Sequence, residues 1–118
     1  MTIFGIGTDI VEIERIKRAL RSKKFVEKCF AQSEAGYCKA KGVASFAGHF
    51  AAKESVAKAL GTGFRGFLPR DIEICHDAKG LPFVKLSANV IVATNSVIRI
   101  SISHEKNYAT AMAIILGE

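Results

Sequence analysis

The chain has no run of about 18 apolar residues, no CxxC pair, no internal repeat, no low-complexity stretch and no tryptophan. Each absence excludes a class. Without a long apolar run, no segment is expected to span a membrane. The opening "MTIFGIGTD" lacks a basic n-region followed by an apolar h-region, so a secretory address is not expected. Residues 1–118 therefore read as a mature, soluble, cytoplasmic chain. The three cysteines, Cys29, Cys38 and Cys75, are odd in number and show no metal-ligand spacing. Reduced thiols fit that count better than a disulfide framework.

Acid is also scarce. Seventeen Lys and Arg face eleven Asp and Glu, for a net charge of +6. The excess is concentrated in residues 15–28, "RIKRALRSKKFVEK", where Glu27 is the single acid. Such a patch attracts an anionic partner: nucleic acid, an acidic membrane surface or an acidic protein. The aromatics are eight Phe and two Tyr, and the phenylalanines fall on apolar stripes. That placement favours core over base-stacking platforms, and no nucleic-acid motif is present.

What is present is enough for one folded domain. At 118 residues and 49% hydrophobic content, a core without covalent staples is expected over 1–118. "TIFGIGTDI" reads as a first strand ending near Asp9, punctuated by Gly5 and Gly7. From Glu12 to about Arg21 the period turns helical. Ile13, Ile16 and Leu20 share one face, and Arg15, Arg18 and Arg21 look away from it. "KFVEKCFAQSEAGYCKA" predicts one or two short helices, with Ser33 as a cap.

The longest helical signal runs from about Val43 to Leu60, with Phe46, Phe50, Ala57 and Leu60 in a stripe and Gly61 and Gly63 as the stop. Beyond it the alternation changes to period two in "DIEICHD", "LPFVKLS", "IRISISH" and "YATAMAIIL". "ANVIVATNSV" fits a short helix or a strand. Helices first and strands later predict an α+β fold, a mainly antiparallel sheet with a long central helix.

Three residues carry candidate chemistry. Asp9 follows a glycine pair that lets the backbone approach another group closely, although an Asp near a helix start also serves as an N-cap. Glu54 and Lys58 lie one turn apart, which fits a helical ion pair. It also fits a different division of labour. Magnesium needs only one or two protein carboxylates plus phosphate oxygens and water, and a nearby lysine can meet a phosphate. That is the minimum set for phosphoryl-group chemistry, where positioning and charge neutralisation dominate.

"GIGTDIVEIERI" at 5–16 and "FAAKESVAKALGTG" at 50–63 resemble the holo-acyl-carrier-protein synthases, the small bacterial phosphopantetheinyl transferases. "RDIEI", "KGLPF" and "ISISHEKNYATAMAI" follow in that family's order, so the resemblance covers nearly the whole chain. It implies transfer of 4'-phosphopantetheine from coenzyme A to a serine of apo-acyl carrier protein, with Mg2+, releasing 3',5'-ADP. It implies that Asp9 and Glu54 hold the metal and that Lys58 neutralises phosphate charge. Gly61 and Gly63 match a turn beside the cofactor, Gly80 and Pro82 a turn near the nucleotide, and His104 a histidine at the same end.

The first helix receives the carrier in such proteins, which gives Arg15, Arg18 and Arg21 an acidic partner. A homotrimer with active sites between subunits is implied as well. Two departures stand out. Many relatives have an arginine for the 3'-phosphate where this chain has His49, so discrimination is weaker here or Lys39 or Lys41 compensates; Leu81 also replaces a usual lysine. Residues 87–97 lack the family's alanine-rich helix and glycine turn. A basic nucleic-acid-binding module is the alternative that the charge alone allows.

Overall fold

The computed structural model describes all of residues 1–118. In order it contains β1 (Thr2–Glu12), α1 (Ile13–Ala19), α2 (Lys23–Cys29), α3 (Gln32–Lys41), α4 (Val43–Leu60), β2 (Ile72–His76), β3 (Pro82–Leu86), β4 (Val97–His104) and β5 (Tyr108–Gly117). Strands β1, β5 and β4 form one antiparallel sheet in that order, and β2 and β3 form a separate antiparallel hairpin. The α+β expectation holds.

Helix α4 is the axis of the molecule. Eleven of its eighteen residues are buried, on every side of the helix. Small residues make this feasible, because alanine and glycine let neighbouring backbones come close. The clearest case is the glycine pair of β1. A Cβ on Gly5 would lie 1.9 Å from the Ala59 carbonyl oxygen, and one on Gly7 would lie 1.9 Å from that of Ser55. Strand β1 therefore rests directly on α4, and only glycine permits it. Around this contact the core gathers Val56, Ala59, Ala111, Ala113 and Ile115 with Phe30, Phe46, Ile72 and Ile74. Gly61 ends α4 at φ 79, in the left-handed region that suits glycine.

Four local expectations change. Strand β1 continues past Asp9 to Glu12, because β5 goes on pairing with it through Asp9↔Ala111, Val11↔Ala109 and Glu12↔Tyr108. Asp9 is therefore a mid-strand residue and not a helix cap. Ser33 does not cap α3 either. Ala31 holds that position, its N–H donating to Glu34 Oε1 at 3.0 Å, while the Ser33 hydroxyl donates to Glu73. The segment between β3 and β4 is neither helix nor strand but a series of turns, with Val90 buried and Ile91 exposed. Helix α1 is shorter than its pattern, since Ser22 accepts the Phe25 N–H and starts α2 instead. Its inward face is as expected: Ile16 is buried, and Ile13 and Leu20 pack against the core.

Candidate active site

Strand β1 and helix α4 bring Asp9, Glu54 and Lys58 to one place. Lys58 Nζ donates to the Thr8 carbonyl at 2.9 Å and to Asp9 Oδ1 at 3.3 Å. It makes no ion pair with Glu54, so the simple helical pair is not the arrangement adopted. The Glu54 carboxylate accepts no hydrogen bond. Its carboxyl is held above the usual glutamate range, first by burial and next by the negative charge of Asp9, with Lys58 and Arg15 pulling the other way.

Two neighbouring carboxylates, Asp9 paired with Lys58 and Glu54 without a hydrogen-bond partner, form an all-oxygen donor set. Hard cations suit such a set, and magnesium suits one this sparse because water and phosphate complete its shell. No cluster of three or more His, Cys, Asp or Glu is arranged to hold a metal by itself. The residues thus fit a metal shared with a phosphorylated substrate and not a closed structural site.

The other predicted residues divide into groups. His49, Gly80, Pro82 and His104 line one cavity of about 400 Å3, together with Tyr37, Lys41, Ser45 and His76. Glu54 opens instead onto a second cavity of about 370 Å3 walled by Phe25, Phe50, Phe64 and Phe67. Gly61 and Gly63 are exposed at the end of α4 with positive φ and touch neither cavity. Arg15, Arg18 and Arg21 are all exposed. Arg15 lies near enough to act on Glu54, which ties the basic helix to the carboxylate pair.

A buried polar chain runs beside the first cavity, and sequence reasoning missed most of it. Lys53, fully buried, donates to Glu34 Oε1 and to the carbonyls of Pro69 and Ile72. Three acceptors require three protons, so this is an ammonium despite burial pulling it below the ordinary lysine range against the charge and hydrogen bond of Glu34. Glu34 Oε2 in turn meets His49 Nδ1 at 2.9 Å, and His49 Nε2 meets His76 Nε2 at 2.9 Å. Both nitrogens of His49 are thus used within the protein. Lys41 lines this cavity, whereas Lys39 lies on a different surface. The signal available in the sequence was placement: His49 and Lys53 sit one turn apart on a helix otherwise built for burial.

Comparison with known proteins places the family. The model of the 4'-phosphopantetheinyl transferase superfamily matches residues 5–113. The chain is 49% identical to a holo-[acyl-carrier-protein] synthase of Thermoanaerobacter sp. (strain X514), covering 95% of this chain and 86% of that one. It is 50% identical to a holo-[acyl-carrier-protein] synthase of Clostridium botulinum (strain Eklund 17B / Type B), covering 96% and 97%. Among solved structures, the holo-(acyl-carrier-protein) synthase of Bacillus anthracis in complex with CoA (3',5'-ADP) superposes with a TM-score of 0.82 at 37% identity, over 98% and 97% of the two chains. The Helicobacter pylori holo-[acyl-carrier-protein] synthase in complex with coenzyme A gives 0.81 at 34% identity, over 94% and 99%. With its fold, its motifs and its full-length relatives in accord, the chain belongs to the 4'-phosphopantetheinyl transferase superfamily, among the holo-[acyl-carrier-protein] synthases.

Proposed function

We propose that the chain transfers 4'-phosphopantetheine from coenzyme A to a serine hydroxyl of an apo-acyl carrier protein, in the service of fatty acid synthesis, with Asp9 and Glu54 holding Mg2+. The observation that carries this reading is the carboxylate pair, Glu54 unpartnered and Asp9 bridged to Lys58, in a family whose relatives have been solved with coenzyme A. In the reaction the serine oxygen attacks the phosphorus that carries pantetheine. The P–O bond to the leaving 3',5'-ADP breaks, and the serine proton passes to Glu54 or to a water beside it. When bound, the metal would polarise the pyrophosphate and fix its orientation. Lys58 then has the task its position suits. Released from Asp9, its ammonium meets phosphate oxygen as negative charge builds on the leaving group.

Gly61 and Gly63, free of side chains, are assigned to close backbone approach by the cofactor, and His49, Gly80, Pro82 and His104 to the nucleotide end. Arg15, Arg18 and Arg21 are assigned to the acidic carrier, where complementary charge speeds encounter and sets register. The influence of Arg15 on Glu54 supports a carrier docked beside the reacting phosphate.

We further infer a homotrimer with active sites between subunits. His49 and Glu54 are five residues apart on α4, which turns their side chains by roughly 140° from one another. One extended cofactor reaches both more readily across a subunit boundary than around a helix. The outer face of the large sheet also leaves Ile6, Ile10 and Met112 exposed, as an interface would. No helix is long and apolar enough to cross a membrane. The three unpaired thiols suit a cytoplasmic location.

An intact-mass assay tests the reaction. Apo-carrier, coenzyme A and the purified chain are combined with magnesium or with a chelator. Gain of one phosphopantetheine on the carrier only with metal is expected. No gain, on a carrier that a known transferase does modify, would remove the reading and return attention to binding of nucleic acid by the basic helix.

A further inference from the structure

Lys58 has one carboxylate a helical turn behind it and another across on β1, and it holds the second. Its ammonium donates to the Thr8 carbonyl at 2.9 Å and to Asp9 Oδ1 at 3.3 Å, while the Glu54 carboxylate is left without a bond. The backbone explains the choice. Gly5 and Gly7 let β1 rest on α4 beside Ala59 and Ser55, and this brings the Thr8 carbonyl within reach of the last helical turn. Lys58 is the basic residue of that turn, and its own carbonyl accepts the Gly61 N–H that closes the helix. A cation is favoured at this end, where helix carbonyls run out of partners.

The two carboxylates are therefore unequal. Asp9 is largely buried and carries a half-exposed ammonium against it, whereas Glu54 has none. Besides Asp9 and Lys58, the charge that acts on Glu54 is Arg15, which pairs with no carboxylate. A divalent cation held by both carboxylates has to share Asp9 with the Lys58 ammonium. Two cations on one carboxylate repel, and at a few ångströms this repulsion outweighs the gain from one exposed ion pair. A phosphate oxygen changes the balance. It is an ionised acceptor, and the ammonium has a third proton that neither Thr8 nor Asp9 uses.

We propose that Lys58 is a built-in counter-ion for Asp9, which keeps the metal site weak in the free protein and makes divalent-cation binding depend on a pyrophosphate ligand. The inference rests on the reading above, in which Asp9 and Glu54 hold Mg2+ and Lys58 meets the phosphates, and it adds an order of events. While Lys58 sits on Asp9, Glu54 is the single carboxylate open to a free ion. One carboxylate holds magnesium poorly, because that ion dehydrates reluctantly. Once Lys58 turns to phosphate, both carboxylates are open. By linkage, cation and pyrophosphate then raise each other's affinity by the same factor. The site so built takes up Mg2+ together with its phosphates and discriminates against the ion alone.

Binding of Mn2+, followed by the electron paramagnetic resonance signal of the free ion, tests this without any turnover, since no carrier is added. An exposed ion pair shifts an equilibrium by at most about fivefold, and repulsion between the cations adds to it. Lys58→Met should therefore bind Mn2+ alone about three- to tenfold more tightly than wild type, and Lys58→Gln should do the same. Arg15→Met removes a nearby charge that touches neither carboxylate and should give a smaller gain. Binding by Lys58→Met no tighter than by wild type would overturn the proposal. So would an equal gain from Arg15→Met, which would make the effect one of net charge. The second readout is the ratio of Mn2+ Kd without and with saturating coenzyme A, after subtracting Mn2+ held by coenzyme A itself. That ratio should be at least about threefold smaller in Lys58→Met than in wild type, and an unchanged ratio would overturn the coupling. Absence of Mn2+ binding by wild type and every variant, with coenzyme A or without, would instead remove the metal from Asp9 and Glu54, and the proposal with it.

Discussion

Replacing Lys53 by methionine isolates the physics of the buried chain. The side chain is fully buried, and its ammonium satisfies Glu34 together with the carbonyls of Pro69 and Ile72. Methionine fills similar volume but leaves the Glu34 carboxylate buried with two N–H donors, from Ala31 and His49, and no opposite fixed charge beside it. Breaking a buried ion pair from one side costs about 3–5 kcal/mol, because the remaining charge is uncompensated. Against a typical total of about 5–15 kcal/mol, that is a large fraction of the stability. The carbonyls left by Lys53 push the loss toward the upper end of the range.

Urea unfolding of wild type, Lys53→Met and the double variant Lys53→Met/Glu34→Gln measures it. The double variant removes both charges, keeps an acceptor for the Ala31 N–H, and should recover at least half of the loss. A single-variant cost under about 1 kcal/mol, or a double variant no better than the single, would refute the reasoning. The first outcome would mean that Glu34 is neutral in the fold. The second would mean that the loss comes from packing and not from charge.

Three further expectations follow from the same geometry. Glu54→Gln should abolish most transfer in the intact-mass assay yet raise apo-protein stability, because Glu54 ionises at a cost beside Asp9. The gain should be fully present at neutral pH and shrink as pH falls through the raised carboxyl range toward 4.5, where the wild-type group is protonated too; equal stability at pH 8 would contradict it. Gly7→Ala should cost about 1–3 kcal/mol or more, since its Cβ meets the Ser55 carbonyl oxygen at 1.9 Å and both atoms belong to backbones that must part. A thermal midpoint within a degree of wild type would show that β1 does not rest on α4 as described. Arg18→Glu should raise the apparent KM for the carrier and reduce its salt dependence with little change in kcat, and an unchanged KM would count against α1 as the docking face.

Much of the scaffold was legible in the chain itself, for reasons of periodicity. The 3.6-residue spacing placed α4 correctly from Val43 to Leu60, and the alternation in "IRISISH" and "YATAMAIIL" placed the two strands that pair as β4 and β5. The glycine pair announced a close approach, and Gly5 and Gly7 make one. The failures had local causes. Residues 87–97 show no period, because a segment of turns with one buried side chain has none to show. Asp9 looked like the end of a strand because glycines usually punctuate, whereas here they permit contact in mid-strand.

The carboxylates and basic residues of the candidate site were nameable from sequence, since residue type and motif order carry them. Their partners were not. Periodicity is short-range information: it says which face a residue takes, not what lies opposite. Lys58 could have met Glu54 one turn away but meets Asp9, 49 positions distant, because β1 lies on that side of α4. Lys53, His49, Glu34 and His76 come from three separate elements, and nothing along the chain says that they meet. The sequence determined the helices, the strands and the identity of the chemical groups; tertiary packing decided which charges are buried together, because burial is a property of the surfaces that meet and not of the residues that carry them.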